Sequence, residues 1–79
     1  MNDQLNEVIA RLEELKEEFG TNKKLREKMN LVILILVQNS DLAIDKALSE
    51  LEEITSLGLP SYHRTKVWDV VSLLESLKN

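Results

Sequence analysis

The chain has 79 residues, 43% apolar and 30% charged, with two glycines, one proline, one histidine, no cysteine and a formal net charge of -4. That length holds one small domain with a thin core, and the missing cysteines exclude disulfides and thiolate zinc sites, which leaves association with another chain as the remaining staple. A lone histidine offers no imidazole metal motif, and the negative balance argues against indiscriminate polyanion binding.

Leu5, Val8, Ile9, Leu12, Leu15 and Phe19 recur at i, i+3, i+4 spacing among strong helix formers, and Gly20 supplies a stop, which predicts an amphipathic first helix. Thr21 is placed to cap a second, which runs from Lys23 through Met29 into the apolar block Leu31 to Val37 and ends near Gln38. Its inward stripe is Leu25, Met29, Val32 and Leu36. The block itself has the β-branched composition and the length of a buried strand. Its helix-forming lead-in has no Gly or Pro and no second such run exists to pair with it, so helix is favoured. Asn39 or Ser40 caps a third helix, with the stripe Ile44, Ala47, Leu48, Leu51 and Ile54, ending at Leu57 before Gly58. Pro60 suits the first turn of a fourth, where its missing N–H costs nothing, and Val67, Val70, Val71, Leu74 and Leu77 form the core stripe.

Connections this short make successive helices antiparallel neighbours, so the expected fold is all-α: an antiparallel four-helix bundle in a single domain, built from two hairpins over residues 2–38 and 40–78. The hairpins also resemble each other. Leu12-Glu13-Glu14-Leu15 matches Leu51-Glu52-Glu53-Ile54 at an offset of 39, while Phe19-Gly20 matches Leu57-Gly58 and Arg26-x-Lys28-Met29 matches Arg64-x-Lys66-Val67 at 38. An internal duplication of a helical hairpin would account for this, the alternative being the chance likeness of amphipathic helices rich in Leu and Glu.

The apolar block is far shorter than the roughly 18 to 20 residues of a membrane span, and the first residues lack the basic and apolar regions of an export signal. A cytoplasmic location is expected. As a helix, however, the block leaves no polar face over two turns. Leu31, Leu34 and Ile35 point away from the inward stripe and would be exposed in a monomer, although each contributes roughly 1.5 to 3 kcal/mol when fully buried. A homodimer or a larger symmetric oligomer is the natural cover. Trp68, on the flank of the fourth helix, is a further candidate for that interface.

Charge alternates along the chain: -4 over residues 1–20, +3 over 21–38, -4 over 39–58 and +1 over 59–79. Lys23, Lys24 and Arg26 open the second helix and His63, Arg64 and Lys66 the fourth, where the positive end of the helix dipole disfavours cations. One reading is mutual neutralisation with acidic helix ends such as Glu17 and Glu18, facing them across Gly20. The other is a site for an anion or for RNA. The negative total and the count of three aromatics favour neutralisation and make nucleic-acid binding the alternative.

No catalytic reading emerges. The carboxylate pairs Glu13-Glu14, Glu17-Glu18 and Glu52-Glu53 are neighbours on solvated helix faces, and His63 with Ser61 lacks a third partner. The sequence therefore predicts a non-enzymatic interaction or structural module with no cofactor, no metal and no small-molecule substrate.

The stretch Leu51-Glu52-Glu53-Ile54, then Leu59-Pro60, Arg64-Thr65, Val67-Trp68 and Val71-Ser72-x-Leu74-Glu75, resembles small archaeal proteins grouped as uncharacterised protein family 0147. The spacing of Pro60, Arg64, Thr65 and Trp68 is its most specific part, and it covers the last third of the chain. In the first half, Arg26 sits where that family has a basic residue and Asn22 where it has a proline. The connection before Pro60 is also shorter than the family's. The resemblance implies an all-helical intracellular protein of archaeal type and carries no activity, ligand or catalytic residue. In that motif Thr65 is expected to bond back to its own helix and Trp68 to supply packing. Arg64 would either clamp a carboxylate of the other hairpin or hold an anion.

Overall fold

The computed structural model describes residues 3–20, 22–38 and 42–78. They form four helices and no strand: α1 (Asp3–Glu18), α2 (Lys23–Gln38), α3 (Ala43–Thr55) and α4 (Ser61–Lys78). The helices pack in a closed square, α1 against α2, α2 against α3, α3 against α4 and α4 back against α1, with no contact across either diagonal. The result is a rod-shaped bundle of 32 × 18 × 18 Å.

Local chemistry sets the helix ends. Gly20 and Gly58 adopt φ of +57° and +79°, the left-handed conformation that closes a helix without a Cβ clash. Thr21 lies outside the described residues, and Asn22 is the residue that caps α2. Its backbone carbonyl accepts from the Arg26 N–H at 3.0 Å and its side-chain Oδ1 accepts from the Leu25 N–H at 3.3 Å. Asn39 and Ser40 also lie outside the described residues. Leu42 occupies the position before α3 and makes no side-chain cap bond. The end of α3 comes earlier than the spacing predicts: the helix stops at Thr55, and Ser56 and Leu57 turn toward Gly58. Pro60 stands just before α4, its carbonyl accepting from the Arg64 N–H at 2.9 Å, and Thr65 donates its hydroxyl to the Ser61 carbonyl at 3.0 Å as the motif implies.

The core follows the predicted stripes. Val8, Leu12, Leu15 and Phe19 from α1 and its end meet Leu25, Met29, Val32 and Leu36 from α2, Ala47, Leu51 and Ile54 from α3, and Val67, Val70, Val71 and Leu74 from α4. Leu5, Ile9, Ile44, Leu48 and Leu77 are half-buried at its margin. The block Leu31 to Val37 is helical throughout, so the strand alternative does not hold. Within the bundle it has α1 and α3 to pack against but no second extended run to supply ladder hydrogen bonds.

Candidate interaction surfaces

Two surfaces carry the residues singled out in the sequence. The first is the outer face of α2. Leu31, Leu34 and Val37 are 41%, 59% and 60% exposed, and Leu42, just beyond the end of the helix, is exposed too. Ile35, expected to be exposed with them, is instead half-buried and packs against the core margin. The reason is angular: Ile35 falls on the flank that α2 shares with α3, whereas Leu34 stands nearly opposite the buried stripe. Val37 went unnoticed in the sequence because it closes the apolar run, but the same helical wheel places it on the far flank from Leu31.

Trp68 is 51% exposed, yet the structure does not bring it to this face. It projects from α4, the helix diagonal to α2, whose Cα atoms come nowhere within 8 Å of those of α2. An apolar surface on α2 and the indole on α4 are therefore separate features.

The second surface is the end of the bundle where α2 and α4 begin and α1 and α3 finish. The ion pairs there run between hairpins, not across the Gly20 turn. Glu18 of α1 takes Lys66 of α4 at 2.6 Å and lies 3.9 Å from His63 Nε2. Lys28 of α2 bridges Glu53 at 2.6 Å and Glu50 at 3.4 Å on α3. Arg26 reaches the Gly20 carbonyl at 3.5 Å. The hydrogen bond to Glu18 holds the Lys66 ammonium well above its ordinary pKa, helped by Tyr62, whose ring lies 4.6 Å beneath it. Lys28, raised by its bond to Glu53, lowers the Glu53 carboxyl in return. His63 sets its ring edge against Phe19 at 5.2 Å, close to the core. Among the described residues Lys23, Lys24 and Arg64 form no ion pair, so the carboxylate clamp that the motif allows for Arg64 is not made.

Each seam of the square carries one lysine link. Lys16 donates to Asn30 at 3.0 Å between α1 and α2, Lys28 joins α2 to α3, Lys78 meets Asp45 at 2.7 Å between α3 and α4, and Lys66 joins α4 to α1. A groove of about 210 Å³ between α1 and α4 is lined by charges of both signs, with Arg11 already held by Glu7 and Lys66 by Glu18. Among the described residues no three Asp, Glu or His side chains gather as a metal site, and no helix is long and apolar enough to cross a membrane.

Four antiparallel amphipathic helices closing on one apolar core make this a small helical bundle. Its sequence matches the model of the uncharacterised protein family UPF0147 over residues 1–77, and the chain belongs to that family. The match extends well beyond the last third, where the motif from Pro60 to Trp68 lies. No curated protein and no solved structure matches the chain.

Proposed function

We propose that this protein is a cytoplasmic, self-associating interaction module, a homodimer or larger symmetric assembly, without catalytic activity and without a resident cofactor. The observation that carries the reading is the outer face of α2, where Leu31, Leu34 and Val37 are exposed to water, more large apolar side chains than any other helix exposes, α4 showing Tyr62 and Trp68. Burying them between copies removes that apolar area from water, which is the dominant favourable contribution to association. The two hairpins are read as repeats: Lys28 and Lys66, 38 residues apart, each reach across to a glutamate of the other hairpin.

Light scattering on the purified chain at micromolar concentration tests the proposal. A dimer or larger is expected, with Leu34→Glu weakening association at least tenfold and Trp68→Glu leaving it unchanged. A monomeric wild-type chain would refute it. Anion or RNA binding is the competing reading, and Lys23, Lys24, Arg26 and Arg64, which open α2 and α4 and form no ion pair among the described residues, are what favour it. Filter binding of single-stranded RNA decides between them. The neutralisation seen at Glu18, Glu50 and Glu53 predicts no retention even at low salt, whereas salt-sensitive retention lost in Lys24→Glu with Arg64→Glu would establish the competitor.

A further inference from the structure

We draw no further inference here: the strongest candidate, the exposed surface patch of Arg64 and Trp68 on α4, is an unpartnered helix face, and nothing in the structure shows what covers it.

Discussion

Asn22 holds the start of α2 with two acceptors at once, its own carbonyl and its side-chain oxygen. Asn22→Ala removes one of them and is expected to cost about 1 kcal/mol in urea unfolding. That cap was half legible: the spacing located the turn, but two adjacent polar residues compete for one geometric role and only the path of the chain chooses between them. The glycine turns show a similar limit. Phe19, just before Gly20, is buried, whereas its counterpart Leu57, just before Gly58, is 44% exposed, and Leu59 on the other side of the turn takes the buried place. Helical spacing finds residues on a stripe and has no hold on a side chain beyond the last turn. Both glycines were legible as stops, since only a residue without a Cβ adopts φ near +57° or +79° without strain.

Among the elements, α2 separates what a helix owes to its own bundle from what it offers outside. Leu74 on α4 is fully buried and Leu34 on α2 is 59% exposed, though both are leucines in mid-helix. Leu74→Ala is therefore expected to destabilise by about 2 to 5 kcal/mol, while Leu34→Ala should leave unfolding of the monomeric chain within about 0.5 kcal/mol, both read by urea titration at high dilution. Leu74→Glu should abolish the fold and Leu34→Glu should keep native helicity. The inward stripes of all four helices could be read from periodicity, because a core that closes a square needs only one face from each. The half-burial of Ile35 could not, since it depends on how closely α3 approaches that flank. Nor could the separation of Trp68 from the α2 face, which follows from the diagonal placement of the two helices.

For the molecule as a whole, the alternating charge blocks were legible before their meaning was. In the closed square every basic segment lies between two acidic ones, so the seams attract while like-charged helices sit apart on the diagonals. The individual pairings were not legible, because which lysine reaches which glutamate depends on the stagger of the hairpins. The pairs make stability depend on pH in two directions. Lys28, Lys66 and Lys78 have raised pKa values, so their contribution is complete below about pH 10.4, the unfolded value, and is lost as the pH climbs through the folded values. Glu53 is lowered, so its contribution holds above about pH 4.3 and fades as the pH falls through its folded value. Calorimetric melting temperature is thus expected to be flat between those limits and to drop outside them, with both slopes shallower in concentrated salt because the pairs are exposed. Trp68 adds a practical corollary. The chain's sole indole is already half in water when folded, so its fluorescence should start red and barely change on denaturation, which makes it a poor gauge of unfolding. Standing away from α2, it should also keep its colour when two copies join, and a blue shift on mixing with any other molecule would reveal a second docking face in use.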